Sequence, residues 1–313
     1  MHPETDSSHN VAILKPDRGF RAWWMLLRPH TLTAAFVPVI VGTLLALKEG
    51  SLDIILFLTM LIASLLIQTA TNLFNEYFDF QRGLDTAESV GIGGAIVRNG
   101  FKPQTILNLA IICIFLSILL GIYICIHSSW WLAFIGSICI AIGYLYTGGP
   151  YPISYTPLGE LVSGVFMGVI IILISFFIQT GYITSTAVLH SIPIAITIGA
   201  INLANNIRDL DGDKKNGRKT LAILLGREKA IQFLGLMFTV SYTLIFLLVV
   251  LDYSTWWALL AFLSIPKAIQ AVKRFSGKTK PIEMMPAMKA TSQTNTFLGL
   301  LLAAGILISY FVS

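Results

Sequence analysis

Apolar positions run through most of this chain in long unbroken stretches, separated by short polar intervals. A membrane-spanning helix needs about 20 mostly apolar residues. Nine stretches qualify, at about 31–48, 53–72, 104–126, 130–147, 160–181, 186–204, 230–251, 255–272 and 291–312. A helix satisfies its own backbone polar groups inside lipid, so the pattern predicts an all-α polytopic membrane protein with about nine transmembrane helices. Residues 1–30 are polar and predict a cytoplasmic tail, leaving 31–313 as a single transmembrane domain.

The polar intervals then orient the spans. With the N-terminus in the cytoplasm, the tail and the connections after the second, sixth and eighth spans hold 20 of the 21 Lys and Arg residues, leaving only Lys48 outside. Basic residues concentrate in cytoplasmic loops, so the expectation is N-terminus in and C-terminus out, in the cell membrane. The basic balance of +5 is therefore read as an orientation signal, without nucleic acid as a partner. Composition agrees with a lipid-embedded chain: 55% of residues are hydrophobic and 12% charged, about half the charge of a soluble protein. The tail carries Glu4, Asp6 and Asp17 and lacks the layout of a cleaved signal peptide.

Against that background the acidic residues are unevenly placed. Glu76, Asp79, Asp85 and Glu88 follow the second span, and Asp209, Asp211 and Asp213 follow the sixth, making seven of the 16 acids in two short segments. The segments are copies: NLFNEYFD at 72–79 and NLANNIRD at 202–209 repeat Asn, Leu, Asn and Asp in register, 130 residues apart. Four spans separate them, so both copies face the same side, in a parallel four-plus-four arrangement with one extra helix. On a helix 72, 75 and 79 share a face, as do 202, 205, 209 and 213. Carboxamides are costly in lipid unless they look into a polar interior. Two such faces meeting at the membrane surface could hold Mg²⁺, which takes a few carboxylates and completes its shell with water and phosphate oxygens. Asp79 and Asp85 would form one half and Asp209 and Asp213 the other, with Asn75, Asn205 or Asn206 as neutral ligands or donors. A diphosphate whose lipid tail stays in the bilayer suits that arrangement. Nearby Arg82, Arg208, Lys214, Lys215 and Lys219 either clamp the diphosphate or serve as topology signals.

Other features leave their readings open. Tyr144 and Tyr146, before the Gly148-Gly149-Pro150 turn, fit either an interfacial belt or ring faces beside an allylic cation. Trp23-Trp24, Trp130-Trp131 and Trp256-Trp257 read as interfacial anchors, and Gly91, Gly93 and Gly94 as a flexible cap. Cys113, Cys125 and Cys139 lie in apolar stretches with no metal or redox spacing.

The segments NLFNEYFDFQRGLD (72–85), GGAIVRNG (93–100), YTGGPYPI (146–153) and NNIRDLDGDKKNGRKTLAILLG (205–226), with RPHTL at 28–32, resemble the UbiA-type superfamily of intramembrane prenyltransferases over essentially the whole chain. The general pattern of that superfamily has an acid where this chain has Gly83. Asp85, two residues later, is similar to the branch that prenylates 1,4-dihydroxy-2-naphthoate, and Glu76 stands where that branch has Asp. The resemblance implies transfer of a polyprenyl chain from polyprenyl diphosphate to 1,4-dihydroxy-2-naphthoate, with loss of CO₂ and Mg²⁺ as cofactor. Carried onto this sequence, it implies Asp79, Asp209, Asn75, Tyr144 and Tyr146 around the reaction, and Asp79, Asp85, Asp209 and Asp213 at the metal. Arg28, Asn72, Asn202, Asn206, Arg82, Arg208, Lys102, Lys214 and Lys219 would bind substrate. Sister enzymes acting on 4-hydroxybenzoate, homogentisate or haem are the near alternative. A secondary transporter is the distant one, disfavoured because the acids sit at helix ends while the spans are almost free of ionisable groups.

Overall fold

The computed structural model describes residues 19–85 and 94–312. Most of the N-terminal tail, Glu88, Gly91, Gly93 and Ser313 lie outside them. Helices α1 (Phe20–Leu26), α2 (Thr33–Lys48), α3 (Ile54–Gln81), α4 (Ala95–Asn99), α5 (Pro103–His127) and α6 (Trp131–Leu145) form the first part. A second part follows: α7 (Gly159–Ser163), a π-helical turn, α8 (Ile171–Thr180), α9 (Ser185–Lys215), α10 (Leu221–Leu225), α11 (Arg227–Val250), α12 (Ile265–Phe275) and α13 (Pro281–Val312). Among the described residues there is no strand. The chain is an all-α, multi-pass membrane protein.

All nine apolar stretches fall in helical segments. Six of these are long and apolar enough to cross a bilayer, whereas α2 and α6 are shorter. The stretch at 255–272 is a 3₁₀ segment, Trp256–Ser264, running into α12. Two boundaries differ in a way that matters for the site. Helix α3 continues to Gln81 and α9 to Lys215, so Glu76, Asp79, Asp209, Asp211 and Asp213 project from helix rather than loop. Of the described acids in the two clusters, Asp85 alone lies beyond its helix end.

Local chemistry explains several helix starts. The Asp53 carboxylate accepts from the Ile55 and Leu56 amides at 2.8 and 3.0 Å, capping α3. Thr184 caps α9 through the Ala187 amide at 3.2 Å, and Pro103 opens α5, where an amide would have no partner. Between helices, lipid provides no net hydrophobic drive, so close approach must hold the bundle. Small residues supply it. A Cβ on Gly168 would lie 2.4 Å from the Ala195 Cα, and one on Gly42 would lie 2.4 Å from the Ile172 carbonyl oxygen. A buried polar chain adds to this: Asn295 Nδ2 donates to Thr33 at 3.0 Å, and Thr197 donates to Asn295 Oδ1 at 2.7 Å, joining α2, α9 and α13. The tryptophans expected at the interface are all exposed. Together the helices enclose a central cavity.

Candidate active site

The cavity has a volume of about 670 Å³. Its wall along α3 runs from Asp79 at one end to Met60 at the other, roughly 28 Å of helix at about 1.5 Å per residue. Near Met60 the wall is apolar, with Ile124 and Leu132. Near Asp79 it is polar. The periodicity argument holds there, since Asn72, Asn75 and Asp79 on α3 and Asn202, Asn205, Asp209 and Asp213 on α9 all line this one space. Asp85, from the segment after α3, lines it too.

Arginines share out the carboxylates. Arg218 donates through Nη2 to Asp79 at 2.8 Å and through Nη1 to Asp213 at 3.0 Å, bridging the two acidic segments. Arg208 pairs with its neighbour Asp209, its Nε lying 2.7 Å from Oδ1. Arg227 takes Asp211 at 2.7 Å. Burial, reinforced by Glu76 and Asp79, raises Asp85 to about 7, and its Oδ2 is buried with no hydrogen-bond partner among the described residues. Burial, with Arg28 and Arg208 close by, lowers His30 to about 3, so this cavity-lining imidazole is neutral.

Among the described residues no three acidic, histidine or cysteine side chains converge to hold an ion by themselves. Mg²⁺ does not need an all-protein cage. The carboxylates of Asp79, Asp85, Asp209 and Asp213, that of Asp85 with a buried oxygen unpartnered among the described residues, fit an ion that draws its remaining ligands from water and phosphate.

Several expected residues also have partners within the protein. Asn72 is buried and donates to the Leu27 carbonyl at 3.0 Å and Thr31 Oγ1 at 2.9 Å, so it docks the 27–31 segment against α3. Asn202 accepts from the Tyr146 hydroxyl at 2.8 Å. Asn206 donates to buried Glu160 at 2.8 Å. Asn75, Arg28 and Tyr146 line the cavity. Tyr144 does not: it packs edge-on against Phe74 and Phe78, 40% exposed, because the two tyrosines point to different faces of the α6 end. Arg82 is spent on the Thr147 and Gly149 carbonyls and lies over the Phe78 and Tyr155 rings. Lys102, Lys214 and Lys219 are exposed and outside the cavity lining.

Three residues take roles that only the fold reveals. Arg218 lay within the quoted 205–226 segment, but only the fold brings it to Asp79. Tyr155 carries the Arg218 guanidinium 4.8 Å above its ring. Glu76, expected as one acid of a cluster, is 1% exposed and accepts from the Gly94 and Ile96 amides at 3.0 and 3.1 Å and from Arg28 at 3.4 Å. It pins α4 and the 28–32 segment to α3.

The model of the UbiA prenyltransferase family matches residues 35–292. The chain belongs to this family. It is 60% identical to 1,4-dihydroxy-2-naphthoate octaprenyltransferase of Bacillus subtilis (strain 168), over 92% of this chain and 93% of the relative. With the Escherichia coli (strain K12) protein of that name it shares 28% identity over 94% of this chain and 97% of the relative. Its fold is similar to a UbiA homolog from Archaeoglobus fulgidus bound to GPP and Mg²⁺, with a TM-score of 0.61 at 15% identity, covering 90% of this chain and 99% of that one. The likeness to that structure agrees with the all-helical fold.

Proposed function

We propose that this membrane enzyme transfers a polyprenyl chain from polyprenyl diphosphate to 1,4-dihydroxy-2-naphthoate, releasing CO₂ and pyrophosphate and giving demethylmenaquinol, the quinol form of demethylmenaquinone. The observation that carries the reaction class is that one cavity joins the carboxylates of Asp79, Asp85, Asp209 and Asp213 to a long apolar wall. Such a space suits a substrate that is anionic at one end and hydrocarbon for the rest of its length. The named acceptor rests on the 60% identity to the Bacillus subtilis relative.

Asp79, Asp85, Asp209 and Asp213 would hold Mg²⁺, whose chemistry when bound is Lewis-acid neutralisation of charge on the departing diphosphate. Arg28 and Arg208, both lining the mouth, would donate charge-assisted hydrogen bonds to the phosphate oxygens. As the bond between the prenyl C1 and the diphosphate oxygen breaks, positive charge spreads over the allylic carbons. The apolar wall keeps water from them, and the Tyr146 ring, fixed by its hydroxyl bond to Asn202, can turn its electron-rich face toward that charge. The naphthalene ring attacks through the carbon bearing the carboxylate, and CO₂ then leaves, returning its bonding electron pair to the ring. The basic loops argue for N-terminus in and C-terminus out.

Purified enzyme with carboxyl-labelled 1,4-dihydroxy-2-naphthoate should release one labelled CO₂ per pyrophosphate. Retention of label on prenylated 4-hydroxybenzoate, with none released from the naphthoate, would assign a different acceptor.

A further inference from the structure

Arg218 stands where the two acidic segments meet, and its surroundings differ from those of the other arginines. Its backbone is fixed: its amide donates to the Asp213 carbonyl at 3.0 Å, and the next amide, of Lys219, donates to the Tyr155 carbonyl at 2.8 Å. Its side chain bridges Asp79 and Asp213, one nitrogen to each. The residue rides on the turn after α9, behind Gly217 at φ +76°, whereas both aspartates are carried on helices. Arg82 shares the Tyr155 ring, but its guanidinium is tied to two main-chain carbonyls. Arg218 is bound to carboxylates, the groups that a divalent ion would claim.

From this geometry, and resting on the Mg²⁺-diphosphate reading above, we infer that Arg218 is an exchangeable cation. It bridges Asp79 and Asp213 when no ion is present, and it passes to the diphosphate when a divalent ion takes those carboxylates. Two carboxylates with little access to water, one buried and one partly buried, cannot face each other uncompensated, because an unpaired charge away from water is strongly disfavoured. A guanidinium meets that need until the ion arrives, and then repels it at a few ångströms. The flexible stem lets the charge move while the backbone stays put, and the Tyr155 face gives the cation a surface along which to move. The incoming diphosphate brings negative charge to receive it, in the forked geometry that suits phosphate. Ion and diphosphate binding are thereby coupled, each strengthening the other by the same factor.

The sign of one measurement decides the matter. Mn²⁺ binding without diphosphate, followed by electron paramagnetic resonance on the full-length protein in nanodiscs, should tighten about tenfold in Arg218→Gln, because a competing charge is removed. Inorganic pyrophosphate binding in Mg²⁺ should weaken by a similar factor. An arginine that merely organised the aspartates would give the opposite Mn²⁺ result, so unchanged or weaker Mn²⁺ binding overturns the exchange. Should Arg218→Gln fail to fold, Arg218→Lys reports instead. Its shorter ammonium spans the two carboxylates poorly and should leave Mn²⁺ binding severalfold tighter than native, and native-like or weaker binding again overturns the exchange. Asp79→Asn separates the two levels. Equal Mn²⁺ affinity in native and Asp79→Asn protein removes the metal seat and the exchange with it. Native binding that Asp79→Asn abolishes but Arg218→Gln leaves untightened removes the exchange alone.

Discussion

Asp79 and Asp213 belong to different helices and share one guanidinium, so single side chains set the charge balance at the cavity mouth. Asp79→Asn and Asp209→Asn keep shape and polarity but lose the charge. Each should lower turnover roughly a thousandfold at normal expression, which corresponds to about 4 kcal/mol of transition-state stabilisation. Initial rates at saturating substrate check this. Asp85 should reveal itself through pH. Its raised value, about 7, means that in the ion-free protein it holds a proton below that pH. A cation must displace that proton, so Mg²⁺ affinity should rise as pH increases through about 7 and fall as pH drops below it. Calorimetric titration across that range should show the trend, flattened in Asp85→Asn. The two tyrosines divide similarly. Tyr146 lines the cavity and Tyr144 packs on Phe74 and Phe78, so Tyr146→Leu should cut the rate constant while Tyr144→Leu leaves it within a few-fold of native.

At the scale of elements, the second and sixth apolar stretches are legible as helices, but their ends are not. Hydropathy stops marking α3 and α9 where the polar segments begin, yet both helices run on to Gln81 and Lys215. The polar residues there face a cavity, and a helix keeps its backbone bonds wherever its side chains find solvent or partners. That continuation makes the spacing of 72, 75 and 79 a true helical face. The helix contacts also carry a prediction. Gly168 meets the Ala195 backbone, which no rotamer change can relieve, so Gly168→Val must push the π-helical turn away from α9. Loss of several degrees in the detergent melting temperature is expected, in line with overpacking costs of about 1–3 kcal/mol. Gly212 has open space around it, and Gly212→Ala should melt as native.

On the scale of the whole molecule, the loops and the cavity mouth lie together. Arg218, Asp85, Asn216 and Pro281 line the cavity, and all lie at or just beyond helix ends in or beside the basic connections. If those connections are cytoplasmic, single cysteines at Gly217 and Gly277, in a chain relieved of Cys113, Cys125 and Cys139, should resist an impermeant thiol reagent in intact cells. A cysteine at Ser128, between α5 and α6, should react. Labelling at 217 without labelling at 128 would invert the orientation.

The sequence alone determined the membrane class, the approximate positions of the spans and the two acidic faces. These depend on composition and on periodicity along one chain, and neither needs a neighbour. It also carried the family resemblance, because RPHTL, the paired Asn/Asp segments and 205–226 are local patterns. Which side chains meet was decided by tertiary structure alone. Lys214 and Lys219 have the same charge as Arg218 and sit in the same segment, yet both are exposed while Arg218 reaches Asp79. Tyr144 and Tyr146 are two residues apart, and only Tyr146 enters the cavity. Glu76 looked like one more acid and is instead the buried anchor of α4. The physical reason is common to all three: periodicity assigns a residue to a face of its own helix, whereas its partner is set by the angle and depth at which another helix arrives. That approach is governed by close contacts such as Gly168 on Ala195 and Gly42 on Ile172, between residues far apart in the chain.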